Sequence, residues 1–120
     1  MKLAIQVFQD EADVKNGFLQ LSICEGTHSC CVYFTLVQWQ EFKDAVNRVE
    51  KAANHEDMAT SLESDNPLQA LYRDAAAIEL MFGGFLTFEM YFPKSDVKLW
   101  RCFKKAVNDF VVETPKQEAP

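Results

Sequence analysis

The sequence predicts an α+β domain in which a five-stranded antiparallel sheet, made from one β strand plus two ββα units, carries two long helices packed on one face. Three observations carry that expectation. The stretch "WRCFKKAVN" at residues 100–108 repeats "WQEFKDAVN" at 39–47 at Trp, Phe, Lys, Ala, Val and Asn, and an internal repeat marks a supersecondary unit used twice. The segments ahead of both copies alternate apolar and polar residues with the period of a strand. Each copy then places its large side chains on one helical stripe: Trp39, Phe42, Val46 and Val49 in the first, Trp100, Phe103, Val107, Phe110 and Val111 in the second.

In chain order, "KLAIQVF" is the first strand, with Leu3, Ile5 and Val7 inward, and the acidic "QDEADVKNG" is a turn. "FLQLSIC" and "HSCCVYF" form a hairpin around Glu25-Gly26-Thr27, with Leu19, Leu21 and Ile23 facing the same way as Cys30, Val32 and Phe34. Thr35 with Gln38 reads as a capping box for the helix that follows. Tyr33-Phe34 recurs as Tyr91-Phe92, and a short insertion then brings Asp96 to the place of Thr35 as the cap of the second helix. Between the copies, "ALYRDAAAIELMFGG" fits either one long helix or a strand from Ala77 to Phe82. Comparison with the first copy selects the strand, with Gly83-Gly84 as a two-residue turn and "FLTFEMYF" as the return strand. Asn66-Pro67 has the form of a cap and first residue, opening a short linker helix. The chain is thus expected to be a single α+β domain over 1–113, with the duplicated ββα units at 18–53 and 77–113 and a disordered tail at 114–120.

Composition bounds the function classes. At 120 residues the chain suits one domain, able to bury roughly two-thirds of its unfolded surface. No stretch approaches the run of about twenty apolar residues that a bilayer requires, and the opening "MKLAIQVFQDEADVK" turns acidic too early for a signal peptide, so a cytoplasmic protein is expected. Its four cysteines, Cys24, Cys30, Cys31 and Cys102, are then expected as thiols. The formal net charge of −6 disfavours nucleic acid as a partner. The charge is unevenly placed: Lys94, Lys98, Arg101, Lys104 and Lys105 crowd one segment, Glu56, Asp57, Glu63 and Asp65 another.

Candidate chemistry is sparse. Cys24, His28 and one of Cys30 and Cys31 can approach one another across the hairpin turn, offering donors that zinc favours. Adjacent strand residues point to opposite faces, however, so only one of the paired cysteines can join, and no metal is expected. Cys102, beside Arg101, Lys104 and Lys105, reads as an exposed free thiol. His28 and His55 lie in polar turns with no nucleophile beside them, and no glycine-rich phosphate loop is present, so neither an enzyme nor a cofactor is expected. The basic "PKSDVKLWRCFKKAVN" spends its aromatic residues on the apolar stripe, leaving none for base stacking. Asn47 and Asn108 end the two matched segments, where they either bond a loop or line a ligand pocket.

The sheet face away from the helices is richer. Tyr33, Met81, Phe85 and Tyr91 project there with Glu79 and Glu89, together with Phe8, Gln20, Ser22, Cys24, Cys31 and Thr87. Tyrosine, phenylalanine and methionine are enriched at protein interfaces. Residues 55–76 either fold over this face through Leu68, Leu71 and Tyr72 or leave it free. The expected function is a non-catalytic protein-binding one: a small acidic inhibitor or adaptor, of the immunity or anti-defence type, whose partner is another protein of basic character. Tyr33, Glu79, Met81, Phe85, Glu89 and Tyr91 form its contact set, and the same outer face offers a homodimer contact. The acidic residues Asp57 and Glu63 are the rival site. The order of elements, with the acidic charge, resembles the small acidic chaperones of type III secretion, which pair three strands and a helix with two more strands and a helix. That resemblance implies an effector-binding role as the alternative, and a small-molecule-binding domain is a further one.

Overall fold

A computed structural model of the chain describes residues 3–50, 56–57, 66–73, 77–83 and 88–115. The first half runs β1 (Leu3–Phe8), α1 (Glu11–Asn16), β2 (Phe18–Glu25), β3 (His28–Thr35) and α2 (Leu36–Val49). The second runs β4 (Glu56–Asp57), β5 (Leu68–Arg73), β6 (Ala77–Phe82), β7 (Phe88–Pro93) and α3 (Val97–Asp109). Strand pairing is local to each half. β1, β2 and β3 form one antiparallel sheet in that order, and β4, β5, β6 and β7 form a second, in which β4 is a two-residue piece.

The five-stranded sheet expected from the sequence is therefore replaced by two separate sheets. Each half closes its own run of neighbouring antiparallel strands before its helix begins, as short connections favour. The halves then meet through side chains. The ββα order recurs as β2-β3-α2 and as β6-β7-α3, but each copy belongs to its own sheet, with β1 added to the first and β4 and β5 to the second. α2 packs on β2 and β3 of its own sheet and on β5 of the other, while α3 packs on β7 of its own and on β1 of the other. Each of these helices thus touches both sheets, and the sheets also meet directly where the ring of Phe34 of β3 lies 6.2 Å from that of Phe82 of β6.

Local sequence explains the elements. Thr35 caps α2 as expected: its hydroxyl accepts from the Gln38 backbone N–H at 3.2 Å and its own N–H donates to Gln38 Oε1 at 2.9 Å. Asp96 stands at the head of α3 but makes no side-chain cap bond. α3 ends at Asp109, before Phe110 and Val111, and Val111 is exposed instead of joining the stripe. The "QDEADVKNG" turn holds a helix, α1. Asp10 and Asp13 form a reciprocal capping box around its first turn, and Gly17 ends it in the left-handed conformation at φ 77°.

The expected linker helix at Asn66-Pro67 is a strand, β5. Leu68 and Leu71 are spaced as on a helix, yet both face the core because a bulge between Leu68 and Ala70 resets the alternation. Asn66 caps no helix here. Its Oδ1 accepts from the Leu68 N–H at 2.9 Å, and its Nδ2 donates to the Gln38 carbonyl at 3.1 Å and to Glu41 Oε1 at 3.2 Å. β6 occupies Ala77–Phe82 as expected, but Phe82 pairs with Phe88, so five residues separate the strands and the two-residue Gly83-Gly84 turn is ruled out. Gly83 packs closely on the Gln69 side chain: a Cβ there would come to 3.1 Å from Gln69 Oε1, so that side chain would have to shift slightly to admit one. The tail expected at 114–120 falls outside the described residues from 116 onward.

One core serves both halves. Phe34, Trp39, Phe42, Phe82, Phe92, Trp100 and Phe103 are all buried. Phe42 lies 5.1 Å from Phe34, 5.7 Å from Phe82 and 6.2 Å from Phe103, between ring centroids. Such spacings are those of attractive aromatic pairs, so this ring links β3, α2, β6 and α3.

Candidate interaction surface on the second sheet

Alternation along β6 and β7 sorts their side chains cleanly. Ile78, Leu80, Phe82, Met90 and Phe92 are buried against the helices, which sends Glu79, Met81, Glu89 and Tyr91 to the outer face. Antiparallel register then sets Tyr72 beside Glu79 and Glu79 beside Tyr91 in one row, with Ala70, Met81 and Glu89 in the next. Tyr91 is 56% exposed. Its hydroxyl donates to Glu89 Oε2 at a long 3.5 Å. The Glu89 carboxylate, more than slight desolvation or the charge of Glu79, holds the Tyr91 phenol above its usual pKa, because ionisation would place a second anion beside the first.

Four of the six sequence-derived contact residues thus gather on one patch: Glu79, Met81, Glu89 and Tyr91. Tyr33 is equally exposed at 56% but lies on β3 of the other sheet, opposite Gln20. Phe85 is outside the described residues, as is Glu63; the side chain of Asp57 is likewise not described. Tyr72 joins the patch. Of the segment 55–76, β5 extends the sheet edgewise with Leu68 and Leu71 in the core, instead of lying across the outer face, and residues 55, 58–65 and 74–76 lie outside the described residues.

The outer face of the first sheet is built differently. α1 lies against β2, and Gln20, which points outward, is buried with Asp13. Gln20 Nε2 donates to Asp13 Oδ2 at 2.7 Å, and Cys31 Sγ donates to Gln20 Oε1 at 3.4 Å. The sequence carried a signal for this, the Asp10–Asp13 spacing ahead of Gly17. Burial chiefly, and then the Asp13 charge, raises the Cys31 thiol; burial chiefly, and then Cys31, raises Cys30. Neither setting favours the thiolate. Cys24 and Cys31 are exposed while Cys30 faces the core, and among the described residues no three His, Cys, Asp or Glu side chains are grouped to hold a metal. Cys102 is exposed and free.

Asn47 and Asn108 hydrogen-bond to each other. Asn47 Nδ2 donates to Asn108 Oδ1 at 2.9 Å, and Asn108 Nδ2 donates to Asn47 Oδ1 at 3.0 Å. Each amide also donates to the carbonyl four residues before it, Lys43 at 2.9 Å and Lys104 at 2.8 Å. The repeat thus ends in a pair of like groups meeting across the helix–helix contact. The tryptophans are less alike: Trp100 Nε1 donates to Glu50, which also binds Lys104 at 3.1 Å, whereas the buried Trp39 Nε1 meets no acceptor among the described residues.

Among the described residues, two of the clefts that border the second sheet are large and open. One, of about 660 Å³, runs along β7 from Phe88 to Tyr91 and on to Pro93, with Glu25 and His28 of the β2–β3 hairpin end also lining it. The other, of about 380 Å³, has an apolar floor of Ile78, Phe92 and Trp100 beneath Glu50, Arg73 and Lys94. Arg73 donates to the Glu50 carbonyl at 2.6 Å. No helix among the described residues is long and apolar enough to cross a membrane. No protein-family model matches the chain, and no curated protein or solved structure matches it.

Proposed function

We propose that this chain is a non-catalytic protein-binding protein, a small acidic inhibitor or adaptor, and that its partner seats on the outer face of the second sheet. The observation that carries this reading is the Tyr91–Met81 patch: a tyrosine that is more than half exposed and a partly exposed methionine, flanked by the carboxylates Glu79 and Glu89. Large, stiff, amphipathic side chains gain contact area at little entropic cost, and flanking charges add orientation. The carboxylates and the net charge of −6 favour a basic partner, such as a larger enzyme that an immunity or anti-defence factor would block. Tyr33 supplies a second contact on the neighbouring sheet.

The experiment is capture of the partner from the native host by the tagged chain, identified by mass spectrometry, then repeated with Met81→Ser and Tyr91→Ser combined. Both substitutions lie on the outer face, so circular dichroism should be unchanged. Loss of anchor residues at an interface commonly costs 2 kcal/mol or more, which weakens capture about thirtyfold. Capture that survives this change but disappears with Asp57→Asn and Glu63→Gln would transfer the site to the acidic segment.

A further inference from the structure

β7 is an edge strand. It pairs with β6 through six consecutive residues without a register break, and among the described residues no strand pairs with its other side. An edge of this kind presents a row of backbone N–H and C=O groups ready to accept another chain. Natural edges are commonly blunted by lysine, a bulge or proline. β7, "FEMYFP", has no lysine and no bulge, and its proline comes only at the last position, Pro93. The open cleft of about 660 Å³ lies along this strand. Its walls supply two chemistries in alternation: Phe88 and Met90 turn toward the core side, Glu89 and Tyr91 toward the outer side, with Glu25 and His28 opposite. No lysine or arginine lines it.

We infer that the β7 edge is a strand-addition site, taking an extended segment of a partner protein in which apolar residues alternate with lysine or arginine. The added strand hydrogen-bonds to the free side of β7, sets its apolar residues beside Phe88 and Met90, and sets its basic residues beside Glu89 and across from Glu25. Main-chain bonds supply affinity in this mode and alternate side chains supply selectivity. A second copy of the chain suits the edge poorly, since two acidic rims would be brought together. The inference rests on the protein-binding reading above and gives the partner a backbone conformation and a charge pattern.

The test uses the full chain and a synthetic probe, an acetylated and amidated hexapeptide of alternating lysine and valine, followed by amide chemical shifts. Shifts centred on residues 88–93 with Glu25 and His28 are expected. Methylating alternate backbone nitrogens of the probe, or making Glu25→Lys with Glu89→Lys in the protein, should weaken binding at least about tenfold. A glutamate-for-lysine probe should leave the spectrum unchanged. Absence of binding, binding indifferent to backbone methylation, or β7 amides already protected in a dimer seen by sedimentation would each overturn strand addition. The face reading is judged separately: if host-partner capture still depends on Met81 and Tyr91 while the probe fails, the face stands and the edge does not.

Discussion

Tyr91 shows how one residue's surroundings become measurable. Its phenol is kept neutral to a higher pH than usual, first by the Glu89 charge and then by slight desolvation and Glu79. The folded state binds this proton more tightly than the unfolded chain does. Any stabilisation is therefore fully present below the ordinary tyrosine pKa and is lost as pH rises through the folded value. Because the side chain is solvent-exposed, the effect shows in titration rather than in folding. Ultraviolet difference titration of wild type against Tyr91→Phe should place this residue above ordinary tyrosine, and Glu89→Gln should move it back down. A Tyr91 that titrates identically in the two backgrounds would exclude the Glu89 contact. The exposure of Tyr33 and Tyr91 was legible from alternation alone, since each precedes a phenylalanine that the core needs. The burial of Gln20 was not: an outward polar residue is hidden only because α1 returns over it.

At the scale of elements, the repeat acquires a physical meaning. Its conserved spacing brings Asn47 to Asn108, where two side-chain hydrogen bonds lock the last turns of α2 and α3 together. Removing one partner leaves the other half-buried amide short of a mate, so Asn47→Ala or Asn108→Ala should each cost about 1–2 kcal/mol. The double variant should cost less than the sum, because the second change deletes an amide that has already lost its cross-helix partner. Urea denaturation of the four species reads the coupling directly, and strict additivity would show the pair to be energetically idle. Thr35 and Gln38 were legible as a cap because the whole interaction lies within four residues. β5 was hidden for the opposite reason. A bulge imitates helical spacing, and only the pairing of Leu68 with Phe82 and Leu71 with Leu80 distinguishes the two.

For the molecule as a whole, the aromatic cluster decides whether two sheets behave as one folding unit. Phe42 reaches Phe34 in its own half and Phe82 and Phe103 in the other, and it is fully buried. Truncation to alanine at such a site typically costs 3–5 kcal/mol, a large share of the roughly 5–15 kcal/mol that holds a small domain folded. Phe42→Ala should therefore lower the stability of both halves together. Single-tryptophan proteins, Trp100→Phe reporting on Trp39 and Trp39→Phe reporting on Trp100, should unfold with coincident transitions, both displaced equally by Phe42→Ala. Separate transitions would mean that each sheet folds with its own helix and that the shared core is not cooperative.

By itself, the amino-acid order determined the strands β1, β2, β3 and β6, the start of α2, the apolar stripe of α2 and that of α3 as far as Val107, and the inward or outward sense of most side chains on those strands. These depend on periods of two and 3.6 residues and on contacts a few positions apart, which the chain carries locally. Tertiary structure alone decided that the strands form two sheets, that each long helix bridges to the opposite half, and that no strand among the described residues pairs with the outer edge of β7 beside the β2–β3 hairpin end. Those outcomes depend on which apolar faces and which unpaired edges meet across some sixty residues. Alternation specifies which way a side chain points, but it is equally well satisfied by one broad sheet or by two narrow ones, and the choice lies in which strand edges pair and which apolar faces meet.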